Sequence, residues 1–472
     1  MAGGRPDRLV ASCLLLWYFS AFIPLFALQQ QPVKVAMKRT SSASFLSRPW
    51  RLLAMLCLAL TALMALPALA ESQAPHRAGA KPAAAKTQPV ATQPTARATV
   101  RQTREGEAEA RLIDIYKLIG QANTREALSK AENLVKDHPN FQLAQLVYGD
   151  LLAGRTRGLH ALGDVPDTTA KAAGPLLAEL RQESQLRLRA LRERPAPGTV
   201  PSQFLSLSPR TRHAIAVDAS RSRLYLFENT TAGLKLVADY YISVGKSGIE
   251  KSIEGDLRTP LGVYFITSNL NPRSLRDFYG AGALPINYPN QLDVKRGKTG
   301  GGIWLHGTPP EQFSRAPLAT DGCVVLANPD LEHIIRTVEI RTTPVVIAPS
   351  LTWVAPQSLK AEVKSFEEVL QAWHQTKSSG DMAKLAAWYA PDFTSYGKSL
   401  AEWTPILKTE LRQMGSKGIQ IKDISYLRWT DSADTMVVTF GELVRGASTG
   451  HTKRQYWTRQ GSQWKIFFEG TI

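Results

Sequence analysis

Ile303–Asp330, IWLHGTPPEQFSRAPLATDGCVVLANPD, is the stretch on which the reading of this chain turns. An apolar segment ends at Leu305 and is followed by His306 and Gly307. A polar loop then runs to Thr320-Asp321-Gly322-Cys323, and Val324-Val325-Leu326 leads into Asn328-Pro329-Asp330. The pattern predicts a strand that ends at the histidine and a second, short strand that begins after the cysteine. A thiol needs a base to become a thiolate near neutral pH, and histidine is the side chain whose ordinary pKa suits that task. The two lie seventeen positions apart, and a loop of that length can fold back to bring imidazole to sulfur. Gly322 permits a tight turn that presents backbone N–H groups, the donors that stabilise an oxyanion. Taken singly, Cys323 also fits a small core position beside Val324 and Val325, and His306 a strand end.

The cysteine inventory favours the chemical reading. Of three cysteines, Cys13 and Cys57 lie in N-terminal apolar runs. With those runs removed or left in a membrane, Cys323 is a lone thiol, either inert or nucleophilic. The runs span Leu9–Leu28 and Leu52–Ala70. Before the second stand Met37-Lys38-Arg39 and Arg48-Pro49-Trp50-Arg51, and it ends on Ala68-Leu69-Ala70. That is a basic segment, an apolar segment and a small-x-small cleavage site, the parts of a secretory signal. Residues 37–70 are therefore expected to be a signal peptide that exports the rest to the periplasm. Residues 1–36 are either an upstream extension or a membrane segment, since Leu9–Leu28 is close to a bilayer's length. Residues 71–105, rich in Ala, Pro, Thr and Gln, read as a disordered linker.

Three periodicities divide the remainder. Over 106–195 apolar residues recur at three and four, as in Leu112, Ile115, Tyr116 and Ile119, then Ala127, Leu128, Ala131, Leu134 and Val135. His138-Pro139-Asn140 interrupts them, and a further helix is predicted from about Gly174 to Arg194. The region resembles one tetratricopeptide-like unit, which cannot bury both faces and must pack on something else. From Arg212 to about 350 the period becomes two, in His213–Asp218, Arg223–Glu228, Leu234–Val244, Gly262–Thr267, Gly302–His306 and Thr343–Ala348. This predicts a mostly-β domain. Over 360–472 helices carrying Phe366, Leu370 and Trp373, and Leu385 and Trp388, precede strands such as Thr435–Phe440, Lys453–Thr458 and Trp464–Glu469. That order predicts an α+β cone.

The 472 residues carry a formal net charge of +17, much of it before residue 215, which favours anionic partners. Zinc-finger spacing and Gly-rich phosphate loops are absent from the sequence, so neither nucleic acid nor a metal or cofactor is expected.

His306-Gly307, followed at a distance by Thr320-x-Gly322-Cys323 and preceded by Gly-rich β sequence, resembles the catalytic domain of L,D-transpeptidases, the YkuD domain. The resemblance covers 212–350 and includes Val217-Asp218, Arg223–Phe227, Ser243-Val-Gly and Thr259-Pro260-Leu261-Gly262. It implies a thioester enzyme of peptidoglycan stem peptides, with Cys323 as nucleophile and His306 as general base. The Gly307 carbonyl would orient the imidazole, and the amides of Gly322 and Cys323 would form the oxyanion hole. Two positions depart from the family's commonest pattern. Asp321 stands where His is usual and Val324 where Arg is frequent. A carboxylate two residues from a thiol tends to raise its pKa, so Asp321 is expected to hold the turn rather than act as a base. Substrate carboxylates are expected to meet basic groups, with Arg315, Thr320 and Trp304 as candidate binding residues and Lys246, Arg258, Tyr279 and Tyr288 as weaker ones.

Residues 360–472 resemble the nuclear-transport-factor-2-like (NTF2-like) fold. A YkuD domain followed by such a domain is similar to the cell-shape L,D-carboxypeptidases of helical Gram-negative bacteria. The whole is thus expected to be multidomain, with a helical N-terminal region, a mostly-β YkuD-type catalytic domain and an NTF2-like α+β cone. The expected activity is transfer of the acyl group to an amine with release of D-Ala. The alternatives are hydrolysis of the same intermediate, which trims tetrapeptides to tripeptides, and a non-catalytic wall-binding module.

Overall fold

The structure, a computed structural model, describes residues 106–472. The expected upstream segment with Cys13, the expected signal peptide with Cys57 and the expected linker to residue 105 lie outside the described residues.

Four helices open the described chain: α1 (Glu107–Gly120), α2 (Thr124–Asp137), α3 (Gln142–Ala153) and α4 (Asp167–Arg192). Leu112, Ile115 and Ile119 of α1 and Ala127, Ala131 and Leu134 of α2 are buried, as a helical apolar stripe requires. Their core continues through Phe141 and Val147, and it is closed by Phe313 and Ala327 from much later in the chain. The helical unit therefore finds its packing partner on the β domain. α4 begins seven residues before the predicted start and carries Pro175 within it. Proline removes one helical hydrogen bond, and Pro175 is on the exposed side, where water can satisfy the freed carbonyl.

The middle of the chain folds as β1 (Val200–Pro201), β2 (Phe204–Ser206), β3 (His213–Asp218), β4 (Arg223–Thr230), β5 (Gly233–Gly245), β6 (Gly262–Phe265), β7 (Ala283–Pro285), α5 (Gln291–Lys295), β8 (Trp304–His306), β9 (Leu318–Thr320), β10 (Val324–Leu326), α6 (Asn328–Thr337), β11 (Pro344–Ala348) and β12 (Trp353–Val354). One curled sheet runs β6-β11-β3-β4-β5-β10-β8-β7, and β9 lies along β5. Ile215, Val217, Leu224 and Leu226 fill the core on one face. Ala214, Ala216, Tyr225 and Phe227 on the other face are buried as well, with Leu427, Trp429, Tyr456 and Phe468 of the C-terminal domain. The period of two thus separates two buried faces rather than a buried and a wet one.

The C-terminal domain contains α7 (Lys360–Ser379), α8 (Met382–Ala386), β13 (Thr394–Ser395), β14 (Lys398–Ser399), α9 (Leu400–Met414), β15 (Ile419–Thr430), β16 (Asp434–Val444), β17 (His451–Gln460) and β18 (Gln463–Thr471). Its antiparallel sheet runs β18-β17-β16-β15-β2. The helices cover the inner face, where Phe366, Leu370 and Trp373 meet Phe440 and Trp457. The edge strand β2 comes from the segment ahead of the curled sheet. It blunts an edge that would otherwise be open.

Candidate active site

β8 and β10 pair in parallel, with Leu305 opposite Val324 and His306 opposite Val325. Continuing that register by one residue sets Cys323 level with Trp304. Trp304 and His306 are alternate residues of one strand, so Cys323 and His306 project to the same face, with Cα atoms roughly 8 Å apart by strand geometry. Leu305 and Val324 point the other way, into the core. The position where an Arg is frequent is therefore an interior one in this chain, and Val324 is fully buried there.

His306 is buried. Its Nδ1 lies 2.7 Å from the Gly307 carbonyl oxygen. A carbonyl can only accept, so Nδ1 carries the proton and Nε2 is left as a base. Burial pushes the imidazole down to about 4, and the Arg315 charge acts in the same sense against the pull of the Gly307 carbonyl. The ring is therefore neutral at physiological pH. Gly307 itself is required by its surroundings: a Cβ there would fall 2.0 Å from Asn328 Oδ1. That oxygen accepts from the N–H groups of Ala281 (2.9 Å) and Thr308 (3.2 Å), while Asn328 Nδ2 donates to Thr308 O (2.8 Å). Asn328, at the start of α6, ties the histidine turn to the 279–281 loop.

The Cys323 turn is equally constrained. Thr320 Oγ1 donates to the Cys323 carbonyl (2.7 Å) and accepts from the Gly322 N–H (3.1 Å). Gly322 has φ +121°, and a Cβ would lie 2.6 Å from the Arg258 carbonyl oxygen, so glycine alone fits. Buried Thr259 donates to Gly322 O (2.9 Å) and accepts from the Gly245 N–H (2.9 Å). The Thr-Pro element thus bolts the cysteine turn to the end of β5. The Gly322 amide is engaged by Thr320, so of the two amides expected to face an oxyanion this one instead holds the turn. Thr320 is buried within the turn.

The Cys323 thiol is half-buried and donates to Gly302 O at 3.5 Å. Burial pushes its pKa up, and the Asp321 charge adds to that. The Trp304 backbone N–H and the charges of Arg315 and Lys251 act against it. Burial thus acts on both groups in the same sense, favouring the neutral imidazole of His306 and the neutral thiol of Cys323.

Around His306 stand aromatic rings. Tyr279 meets the imidazole edge-on at 5.1 Å, and on its other contact the Tyr279 ring lies 4.8 Å from that of Trp304, tilted by 42°. Phe278 lies 5.8 Å from the imidazole, and the Arg315 guanidinium sits 4.5 Å above Phe278. Arg315, Trp304 and Tyr279 are thus gathered around His306 through Phe278 and each other. Tyr288 packs in the core against Tyr264 instead. Arg258 turns its guanidinium to Ile249 O (2.9 Å). Lys246 pairs with Asp321 at 2.9 Å, both exposed. Phe278 and Asn328 escaped the sequence reading. The adjacent aromatics of Asp277-Phe278-Tyr279 in a polar loop were a signal for the first. Asn328 had none, because its role depends on contacts 20 and 47 residues away.

The Asp321–Lys246 pair supports a direct prediction. An exposed pair contributes little to stability, and the carboxylate opposes thiolate formation. Asp321→Asn is expected to keep activity within about threefold of the parent and to shift the alkaline limb of its pH–rate profile slightly downward. A loss of a hundredfold would make the carboxylate a direct participant.

A family model of the L,D-transpeptidase catalytic domain (YkuD) matches residues 212–347, and one of the Cds6 C-terminal NTF2-like domain matches 365–470. No curated protein matches the chain. Among solved structures, that of Bdellovibrio bacteriovorus Bd1075 is 23% identical, with 58% of this chain and 98% of the other covered and a TM-score of 0.49. The helical cell shape determining protein Pgp2 from Campylobacter jejuni is 22% identical over 61% of this chain and 99% of its own, with a TM-score of 0.45. An L,D-transpeptidase from Mycobacterium smegmatis is 12% identical over 29% and 58%, with a TM-score of 0.19.

Proposed function

We propose, for a chain that carries an L,D-transpeptidase-family catalytic domain at 212–347 and an NTF2-like domain at 365–470, that Cys323 forms a thioester with peptidoglycan tetrapeptide stems and releases D-Ala. The single observation that carries this reading is the 2.7 Å contact of His306 Nδ1 with the Gly307 carbonyl oxygen. The Nδ1–H is spent on Gly307 O, which leaves Nε2 free on the face that Cys323 shares. As the thiol attacks the carbonyl on the L-centre of the penultimate residue, Nε2 takes its proton, and the imidazolium then gives that proton to the departing D-Ala amine. The Cys323 N–H is the amide we assign to the oxyanion. Arg315 is placed to receive a substrate carboxylate, with Trp304 and Tyr279 forming the wall beside it.

Water is the acceptor favoured by the pairing of the two domains, the arrangement that resembles L,D-carboxypeptidases. The product is then a tripeptide. Transfer to an amine is the second reading, favoured by the description of the catalytic family itself. In this proposal the catalytic domain works outside the cytoplasm, delivered by residues 37–70.

Incubation of the full chain with a muropeptide digest, read by mass, tests both. Tetrapeptides that lose the mass of one Ala residue indicate hydrolysis, and new dimers or exchanged termini indicate transfer. A digest left unchanged would sink the catalytic reading and leave a wall-binding module.

A further inference from the structure

The loop that joins the catalytic histidine to the catalytic cysteine does not stand on the β domain alone. Phe313, at its midpoint, is buried in the helical core. Its ring stacks on Phe141 at 4.2 Å and 26°. The Phe313 N–H donates to Asn140 O (3.1 Å), and Asn140 Nδ2 donates to Pro310 O (2.9 Å). The next residue, Ser314, donates its hydroxyl to Glu183 of α4 (2.8 Å).

Glu183 is itself held from behind. Arg187, one turn along α4, donates to it through Nε (2.9 Å) and Nη2 (2.7 Å), and both residues are buried. The same guanidinium lies 4.1 Å over the ring of Tyr241 in β5. The Tyr241 hydroxyl donates to the carbonyl of Arg315 (2.9 Å). Three successive loop residues, 313 to 315, are thus fixed by one buried assembly that spans helices and sheet. The fixed backbone directs the Arg315 side chain over Phe278.

We propose that the helical segment is a positioning element of the active site: Phe141, Asn140 and Glu183 clamp the 310–315 loop so that the Arg315 guanidinium stands at the catalytic face. Phe141, Asn140 and Glu183 touch no reacting atom and act only through Arg315. The kinetic part of this proposal rests on the reading of Arg315 as a substrate-carboxylate ligand. The geometric part does not.

Two thiol reagents separate the parts. Iodoacetate is anionic and iodoacetamide neutral, so the ratio of their rates at Cys323 reports how near the Arg315 charge is held, without any substrate. The rates are followed on the full chain by mass of the Cys323 peptide. Arg315→Ala should lower the ratio about three- to fivefold, the factor a unit charge a few ångströms away exerts in a watery setting. Asn140→Ala/Ser314→Ala and Phe313→Ala should each lower it towards the Arg315→Ala value, and Ser314→Thr, which keeps the hydroxyl, should not. The double variant leaves the buried Phe313–Phe141 contact intact, so it carries the test if Phe313→Ala fails to fold. With tetrapeptide, the double variant should raise KM severalfold with kcat within about twofold. A ratio unchanged in the double variant, or unchanged in Arg315→Ala, overturns the proposal. Failure of the catalytic reading would show differently, as absent D-Ala release with the ratios as expected.

Discussion

Cys323→Ala is expected to lower D-Ala release by roughly a thousandfold or more, as removal of a covalent nucleophile does, with the folded protein intact. Cys323 is the one cysteine among the described residues. It is half-buried, and its turn is held by Thr320 and Thr259 through backbone groups of Gly322 and Cys323, not through the sulfur. Truncation to Ala therefore leaves those bonds in place and should cost stability on the order of 1 kcal/mol or less. A melting curve close to the parent's, together with lost turnover, is the combined result to look for. Cys323→Ser is a harsher test of mechanism than of fold, because a hydroxyl beside a neutral imidazole is a far weaker nucleophile.

His306→Asn should reduce turnover by about a hundred- to ten-thousandfold, the range general-base removal covers. Asn can still donate to the Gly307 carbonyl, so the turn survives while Nε2 is lost. The pH dependence carries more information than the size of the loss. In the parent, burial holds His306 near 4. Its base form is therefore complete well below the ordinary histidine range, and kcat/KM should show no acid limb at 6.5. It should fall only as pH drops through about 4. In His306→Asn only thiolate formed by ionisation to solvent can react. Its fraction rises tenfold per pH unit below the thiol pKa, and burial keeps that pKa above the usual value. The variant's rate should climb steadily with pH through neutrality where the parent's is flat. An acid limb near 6.5 in the parent would mean that the imidazole is more open to water than its buried setting allows.

Much of this site was legible before any coordinates. His306, Gly307, Thr320, Gly322 and Cys323 announce themselves because chemistry and backbone conformation restrict those positions to few residue types. Thr259 was legible as part of a motif, though not as the hydroxyl that locks Gly322 to β5. The strands from His213 to Ala348 were legible from their alternation. The reason both of their faces are apolar was not, because the second face is covered by Trp429, Tyr456 and Phe468, some two hundred residues on. β2 escaped for a related reason. Three residues of FLS carry too little periodicity to mark a strand, and its partner is β15 at Tyr426 and Leu427. The sequence also required the helical region to pack on something, and the structure supplies the partner as Phe313, within the loop between His306 and Cys323. Local pattern gives the elements and the chemistry. Long-range contact decides which side chains hold them in place.

The most direct test of the account is the state of Cys323 during turnover. The full chain is mixed with tetrapeptide, quenched in acid within the first turnovers, digested and weighed. The account predicts an adduct on the peptide containing Cys323 equal to the substrate acyl group without its D-Ala, absent from Cys323→Ala and diminished in His306→Asn. D-Ala released by Cys323→Ala at the parent rate, with no such adduct in the parent, would contradict it.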